Sequence, residues 1–299
     1  GIRLYEIDSG AEGLIEGNSI TGNDGYGILV DSGLAYGGYL VIESNTITGT
    51  QSGSATGEAP GGWDVEYYLN CGDVIPGSET VYVNNVPTSE YTLYPDSGTV
   101  VFDVAPEGTV TVDYLYGGAG IYVGDEVGEG SDLAILDNEV VENGGKGIHV
   151  EEIERGGEVV ISDGNTITGN GSHGVVVGSS YYESWNETWY YYGLTEGSSL
   201  TIKDNDISGN GDNGIDVLLI EEGSRVLAES NTLSENAYGV HVGEMTYGST
   251  LDIVDNTMTG NAAGGVHVDD TVDQSAVNVV GNVISGSGGA GLDISGGDG

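Results

Sequence analysis

The chain has 299 residues, of which 48 are Asp or Glu and only 5 are Lys or Arg, so its formal net charge is −43. A field of that sign repels nucleic acid and anionic membrane surfaces, which excludes both as direct partners. Acidic disordered chains lack aromatic residues, whereas this chain has 19 Tyr and regularly spaced apolar runs, so the composition indicates a folded protein.

The near absence of Lys favours a halophilic, archaeal protein, because high salt screens the self-repulsion of such a chain. An extracellular acidic protein that binds divalent cations is the alternative. No motif requires a cofactor, and Ca²⁺ or other surface-bound cations are the expected ligands. Cys71 cannot form an internal disulfide and is interpreted as a small buried residue or a free thiol. No run of 18 apolar residues predicts a membrane span.

A repeat begins with Gly1-Ile2-Arg3-Leu4, a pattern that recurs as GIHV, GVHV and GLDI. Between these segments lie an apolar-x-apolar run and an Asn-centred core, at steps of 25 to 27 residues interrupted by steps of 93 and 40. Short alternating apolar runs separated by Gly and Asn predict three strands per unit and no helix. Such units bury their apolar faces only by stacking on one another, so the sequence predicts an all-β solenoid of about eight coils.

Asparagine recurs at one position of every unit and at a second position five residues later. Stacked side-chain amides can donate along a column and also satisfy backbone groups at turns, so we interpret both sets as structural. The second column contains Asn23, Asn143, Asn170, Asn210, Asn236 and Asn261, and is interrupted by Thr50 and Ser287. The first column consists of Asn18, Asn45, Asn138, Asn165, Asn205, Asn231, Asn256 and Asn282.

With these segments the sequence resembles the right-handed parallel β-helix proteins of the pectate-lyase-like superfamily, whose repeats read apolar-x-apolar, N-x-I-x-x-N and G-I-x-V. The resemblance covers all eight coils and implies a β-helix over residues 1–50 and 118–299. It implies function poorly, because that group includes polysaccharide lyases and hydrolases, phage tailspikes, adhesins and surface-layer components.

An insertion at residues 51–117 is predicted to form a small antiparallel β domain. NNVP, PDSG and APEG turns separate its apolar pairs. The four predicted strands are centred on Val81 and Val83, on Tyr91 and Leu93, on Val101 and Phe102, and on Val110, Val112 and Tyr114.

A second insertion, residues 178–198, is an aromatic-rich loop. Aromatic side chains at this density stack on sugar rings, pack on another protein or cover the flank of the β-helix. Asn170 and Asn186 lie in N-x-S/T sequons and are possible glycosylation sites. The candidate glycan or protein contacts are Tyr181, Tyr182, Trp185, Trp189, Tyr190, Tyr191 and Tyr192.

One column of the G-I-x-V strands has the composition of a metal site. Its outward x position reads Asp216, His241, His267 and Asp293 in four consecutive units, at the ~4.8 Å spacing of adjacent strands. Imidazole and carboxylate together are ligands for transition metals. The alternative is a solvated ladder in which carboxylates raise the pKa of each His.

No catalytic residue is predicted. Polysaccharide lyases of the β-helix fold use an Arg or Lys as the base. The five basic residues of this chain are not aligned in a column that could supply it. In the related polygalacturonases an acidic pair precedes a Gly-His-Gly segment. Here the acidic pair Asp269-Asp270 follows the Ser172-His173-Gly174 segment, so that resemblance fails. The sequence therefore favours a structural protein over an enzyme, with polysaccharide binding or degradation as the alternative.

The most favoured interpretation is an extracellular or cell-surface structural β-solenoid: part of a surface layer, an adhesin stalk or a filament. Arg3 and Asp293 occupy the same position of the repeat near opposite ends of the chain. We expect the solenoid either to continue in a longer chain or to stack head to tail as a homopolymer, with Arg3 of one molecule against Asp293 of the next. Surface glycans are a further possible partner.

Overall fold

The computed structural model describes residues 1–51, 53–63, 65–69, 74–75, 78–94, 98–183, 188–272 and 274–296, without the side chains of 63 and 181–190. Cys71, Trp185 and Asn186 lie outside these residues, as do the side chains of four other predicted aromatic contacts. All regular elements in the described ranges are β-strands. Within those ranges no helix is long and apolar enough to cross a membrane.

Three parallel sheets form the β-helix, and each coil contributes one strand to each sheet. Alternating side chains of every strand point inward, as the two-residue periodicity predicts. The first sheet contains Glu12–Glu16, Tyr39–Glu43, Asp132–Leu136, Glu158–Ser162, Ser199–Lys203, Arg225–Glu229, Thr250–Val254 and Ala276–Val280. The second contains Ser19–Thr21, Thr46–Thr48, Glu139–Val141, Thr166–Thr168, Asp206–Ser208, Thr232–Ser234, Thr257–Thr259 and Val283–Ser285.

The third sheet has nine strands, one more than the other two, and is formed by the G-I-x-V segments. Its additional strand is Ile2–Leu4, which pairs in parallel with Ile28–Val30. Eight complete coils are therefore preceded by one further rung. The nine strands are Ile2–Leu4, Ile28–Val30, Ile121–Val127, Ile148–Ile153, Val175–Val177, Ile215–Ile220, Tyr238–Met245, Gly264–Thr271 and Leu292–Ile294.

A single continuous core runs along the axis of the solenoid. Leu200, Ile202 and Ile207, from successive strands of one coil, are almost completely buried in it. A Gly precedes the strand that each coil contributes to the third sheet, where the next coil approaches closely. A Cβ on Gly147, for example, would lie 2.6 Å from the carbonyl oxygen of Gly174. The G-I-x-V pattern thus records both the packing of the core and the close stacking of the backbone.

The first Asn column forms an unbroken ladder inside the turn between the first and second sheets. Each side-chain amide donates to the Oδ1 atom of the Asn in the next coil, at 2.9–3.2 Å, from Asn18 through to Asn282. The same amide nitrogens also donate to backbone carbonyls, as Asn205 does to Ile161 at 2.8 Å. Turn carbonyls that apolar residues would leave unsatisfied are thereby paired.

The second Asn column is shorter. Amide-to-amide bonds of 3.0–3.1 Å link Asn143, Asn170, Asn210 and Asn236 in order. At the predicted interruption, the backbone amide of Thr50 donates to Oδ1 of Asn143, and its hydroxyl donates to the Gly118 carbonyl at 2.9 Å. Thr50 therefore replaces the missing amide with its own hydroxyl.

Strands of the first insertion form two four-stranded antiparallel sheets with a separate apolar cluster. All four predicted strands are present, and four more occur that the apolar pattern did not indicate, because they are rich in Gly, Pro and polar residues. One sheet orders Val86–Thr88, Thr80–Val83, Val110–Tyr116 and Gly53–Glu58. The other orders Tyr91–Tyr94, Thr99–Phe102, Glu66–Tyr68 and Gly61–Trp63.

Candidate functional site

The x position of the third-sheet strands forms a continuous column across the molecule. Strand register places each of these residues directly beside the next, so the predicted alignment of the four candidate metal ligands is confirmed. The complete column reads Arg3, Leu29, Tyr122, His149, Val176, Asp216, His241, His267 and Asp293.

The middle of this column is buried, which differs from the expectation of a solvated face. His149, Val176 and Asp216 are each less than one tenth exposed. Nε2 of His149 lies 3.0 Å from the carbonyl oxygen of Gly178, the residue that leads from the third sheet into the second insertion. The insertion therefore begins by passing over this part of the column, a contact that the repeat pattern does not encode.

Two histidines and three carboxylates meet toward the C-terminal end of the column. Nδ1 of His241 donates to Asp216 at 2.5 Å, and Nε2 of the same ring lies 3.2 Å from Oδ2 of Asp269. Nε2 of His267 lies 2.7 Å from the other oxygen of Asp269, and its Nδ1 lies 3.4 Å from Asp293. One carboxylate, that of Asp269, thus lies between the two imidazoles.

Tyr238 holds these rings in a common stack. Its ring is nearly parallel to that of His267, at 13° with a centroid separation of 5.0 Å, and is tilted by 28° to that of His241 at 5.9 Å. The two imidazoles are themselves stacked at 5.6 Å and 23°. Stacking restricts rotation of both side chains and so fixes where their nitrogens point.

The charges in this cluster are mutually stabilising. Burial raises the pKa of the Asp216 carboxyl, but the hydrogen bond from His241 and nearby positive charge outweigh it, so the pKa lies below its ordinary value. Burial lowers the pKa of His241, but the hydrogen bond to Asp216 and the charges of Asp216 and Asp269 raise it above its ordinary value. Asp216 is therefore an ionised hydrogen-bond acceptor.

The sequence selected four candidate ligands, and the structure groups them differently. His241, His267 and Asp269 each offer one ligand atom, and these atoms lie within 4.8 Å of one another. Asp216 and Asp293 contact the opposite, Nδ1 side of the imidazoles. Asp269 is not one of the four candidates. The signal that identifies it is the spacing His267-Val268-Asp269, since residues i and i+2 of a strand share one face.

A second charged region lies on the third sheet nearer the N-terminus. Glu126 and Glu152 are direct neighbours in the strand register, and such like-charged pairs are unfavourable. Burial, followed by the charges of Glu126 and Asp125, raises the pKa of Glu152 to about 7. Burial, a hydrogen bond with Glu126 and neighbouring carboxylates also raise the pKa of Glu154, although Arg155 contacts it at 2.9 Å.

The second insertion forms an antiparallel hairpin, Ser179–Glu183 with Thr188–Tyr192, beside this acidic region. Tyr191 and Tyr192 are exposed. A cavity of about 280 Å³ at the base of the hairpin is lined by Asp125, Glu151, Glu152, Ser179 and Tyr192. Three acidic side chains and one aromatic side chain therefore line the same cavity.

Two other predicted sites have partners inside the chain. Asn170 is 2% exposed, and its amide nitrogen, to which a glycan would be attached, donates to the Val140 carbonyl and to Asn210. Glycosylation there would break the second Asn column, so the prediction for Asn170 is incompatible with the folded geometry. The predicted end-to-end contact residue Arg3 binds Asp31 of the adjacent coil at 2.6 Å, and its side chain remains 73% exposed.

A family model described as a right-handed β-helix region matches residues 186–299 of this chain. Among solved structures, the chain is similar to the tailspike protein gp49 from Pseudomonas phage LKA1, with 11% sequence identity. That alignment covers 97% of this chain and 70% of the tailspike chain, with a TM-score of 0.19. A comparison with curated proteins finds no match.

Proposed function

We propose that this parallel β-helix acts as a rigid structural element at the cell surface or outside the cell. It is a segment or subunit of a surface layer, an adhesin stalk or a filament, and its role is mechanical instead of enzymatic.

The main support for this role is the unbroken column of side-chain amides from Asn18 to Asn282, which is buried between its two end residues. Every coil is joined to the next by side-chain bonds as well as by three backbone ladders. Bending or shearing the solenoid would leave several buried polar groups unpaired at once, each at a cost of about 1–3 kcal/mol. Stiffness along the axis is the property that such an arrangement provides.

The surface charge supports a setting rich in cations. With 48 acidic and 5 basic residues, the repulsion between coils is relieved by salt or by bound divalent ions. The few basic residues pair with acids on neighbouring coils, as Lys203 does with Glu229 at 3.0 Å and Arg225 with Asp252 at 2.6 Å. Hydrated cations such as Ca²⁺ then take the place of the missing basic side chains.

We propose that a further coil pairs with each of the two edge strands of the third sheet. Ile2–Leu4 and Leu292–Ile294 are the edge strands of the third sheet, and Leu292 and Ile294 are exposed apolar side chains. A coil from adjoining sequence or from a second copy would pair both edges and cover these side chains. In the second case Arg3 of one copy meets Asp293 of the next.

Polysaccharide binding is the second candidate, and the cavity beside Tyr192 favours it. A sugar ring can stack on the exposed tyrosine while its hydroxyls donate to Glu151 and Glu152. In this alternative the solenoid is a scaffold for the hairpin.

Electron microscopy of the purified chain at low salt, high salt and with Ca²⁺ tests the structural proposal. We expect stiff rods that associate end to end when charge is screened, and shorter assemblies for Arg3→Glu. Arg225→Glu is the matched control, because it makes the same charge change at a similarly paired and exposed arginine away from the end coils. Discrete monomers in every condition, together with turnover of a polysaccharide, would overturn the proposal.

A further inference from the structure

We propose that Nε2 of His241, Nε2 of His267 and a carboxylate oxygen of Asp269 form a binding site for a borderline divalent transition-metal ion such as Zn²⁺. The ligand atoms already lie within 4.8 Å of one another. The proposal concerns the third sheet alone and is independent of whether the solenoid assembles.

The distances from the two imidazoles to the two oxygens of Asp269 are close to those found around a shared ion. Zn²⁺ binds imidazole nitrogen and carboxylate oxygen at about 2.0–2.2 Å, so two ligands on one tetrahedral ion are about 3–3.5 Å apart. Nε2 of His241 is 3.2 Å from Asp269, which is within that range. Nε2 of His267 is 2.7 Å from Asp269, so that contact has only to open by a few tenths of an ångström.

The imidazole of His241 is oriented as metal-binding histidines usually are. A ligating histidine typically donates its second ring nitrogen to a carboxylate or carbonyl, which fixes its tautomer and ring orientation. Nδ1 of His241 donates to Asp216 at 2.5 Å, whereas Nδ1 of His267 lies 3.4 Å from Asp293 and makes no hydrogen bond among the described residues. Asp216 is therefore a positioning residue, and Asp269 is the third ligand.

The ring stack restricts the site further. Tyr238 lies against both imidazoles, at 5.0 and 5.9 Å between centroids, so neither ring can turn its Nε2 atom away without losing this contact. Positions held in this way lose little side-chain entropy when an ion binds.

The Nε2 atoms of both rings face the same carboxylate. Nε2 of His241 lies 3.2 Å from Oδ2 of Asp269, and Nε2 of His267 lies 2.7 Å from Oδ1. A metal ion between these atoms would bridge each nitrogen to Asp269. Three protein ligands leave a fourth position for water, as in open zinc sites.

The donor set selects against the hard cations that the acidic surface attracts. Ca²⁺ and Mg²⁺ prefer oxygen ligands, whereas two of the three donors here are imidazole nitrogens. A chain with a net charge of −43 will collect hard cations at many carboxylates, so a specific site is recognised by binding that survives a large excess of them.

Isothermal titration calorimetry of Zn²⁺ into the chelator-treated full chain, in excess Ca²⁺, tests the site. We expect one Zn²⁺ per chain, with loss of binding in His267→Ala and in Asp269→Asn. Asp216→Asn should weaken binding by about 10–100-fold, the usual effect of removing a carboxylate that orients a ligating histidine. Asp270→Asn is the matched control, since it makes the same change one residue away at a position paired with Glu244.

Titration with Co²⁺ gives a second readout, because coordination by nitrogen produces visible absorption bands that loosely held surface ions lack. We expect these bands in the wild type and in Asp270→Asn, and their loss in His267→Ala. Far-ultraviolet circular dichroism checks that each variant remains folded. Absence of Zn²⁺ binding in the presence of Ca²⁺, or equal binding by wild type and a folded His267→Ala, would overturn the proposal.

Discussion

The first Asn column and the column of Asp216, His241, His267 and Asp293 on the third sheet both repeat at the spacing of adjacent strands. They differ in how neighbouring side chains satisfy one another. An Asn amide donates with its nitrogen and accepts with its oxygen, so one residue type satisfies itself from Asn18 to Asn282. A carboxylate only accepts, so in the last four residues of the third-sheet column Asp216 and Asp293 flank the histidines His241 and His267. Identical residues at one position of every coil therefore form a continuous structural ladder, whereas different residues at one position form a local site.

On the outward-facing side of the third sheet, some adjacent strands place two side chains of the same charge next to each other. Glu126 lies directly beside Glu152, and the resulting repulsion together with burial raises the pKa of Glu152 to about 7. Repetition stabilises the inner face because amides complement one another. It destabilises the outer face wherever two carboxylates are aligned.

The largest expected effect comes from breaking the inner ladder at its centre. Asn205→Ala removes the acceptor of the Asn165 backbone amide and the donor to the Ile161 carbonyl, both buried. Two buried polar groups left unpaired should lower the free energy of unfolding by about 3–5 kcal/mol, measured by urea denaturation.

Asn18→Ala is the matched control, because Asn18 is at the edge of the same ladder and only partly buried. Water can replace its bonds, and the expected loss is about 1 kcal/mol or less. Equal losses at the two positions would contradict the view that burial gives the ladder its strength.

An intermediate effect is expected from Glu152→Gln on the outer face. The pKa of Glu152 is raised from 4.5 to about 7, so the folded protein keeps a proton that the unfolded chain has lost between these values. Wild-type stability should therefore fall as pH rises through this window. Thermal melts should show the variant to be more stable than the wild type above about pH 7, with the difference vanishing below about pH 4.5.

Glu12→Gln is the control for this pH dependence, since Glu12 is exposed on an edge strand of the first sheet. It makes the same substitution at a position whose strand neighbour is the neutral Tyr39 and not a second carboxylate. If Glu12→Gln and Glu152→Gln have the same pH profile, the alignment of Glu126 with Glu152 is not the cause.

The smallest expected effect concerns an exposed contact between coils. Arg225 binds one oxygen of Asp252 through Nε at 2.9 Å and through Nη2 at 2.6 Å, but its side chain is 60% exposed. Exposed ion pairs contribute at most about 1 kcal/mol, and salt screens them. Arg225→Ala should lower the melting temperature slightly at low salt and by less at high salt. If Arg225→Ala lowered stability as much as Asn205→Ala, buried amide contacts would not be stronger than exposed ion pairs in this protein.

Much of the fold was predictable because the repeat is local and regular. Spacing of the Asn residues was enough to place each coil, and the register of the third sheet aligns Asp216, His241, His267 and Asp293 as that spacing requires. Four strands of the inserted module were not predicted, since Gly53–Glu58 and Gly61–Trp63 contain few apolar residues. Their pairing depends on neighbouring strands instead of their own pattern.

The candidate site was predicted in part. Its two histidines could be found from the column alone, but Asp269 lies two residues beyond the x position and becomes a neighbour of both imidazoles only through side-chain packing. Asp216 and Asp293 were predicted as ligands because rung spacing cannot distinguish which ring nitrogen a carboxylate contacts. The inaccessibility of Asn170 was likewise invisible, since a sequon carries no information about burial in the second column.

The sequence by itself determined the solenoid, its coil length and the residues that share each rung, because two-residue alternation and a constant repeat length leave one way to bury the apolar faces. Only the tertiary structure decided which outward groups are covered and which nitrogens converge. Gly178, at the start of the second insertion, contacts His149, and Tyr238 stacks on both site histidines. Those contacts depend on side-chain rotamers and on an insertion that lies outside the repeat, so no periodicity can encode them.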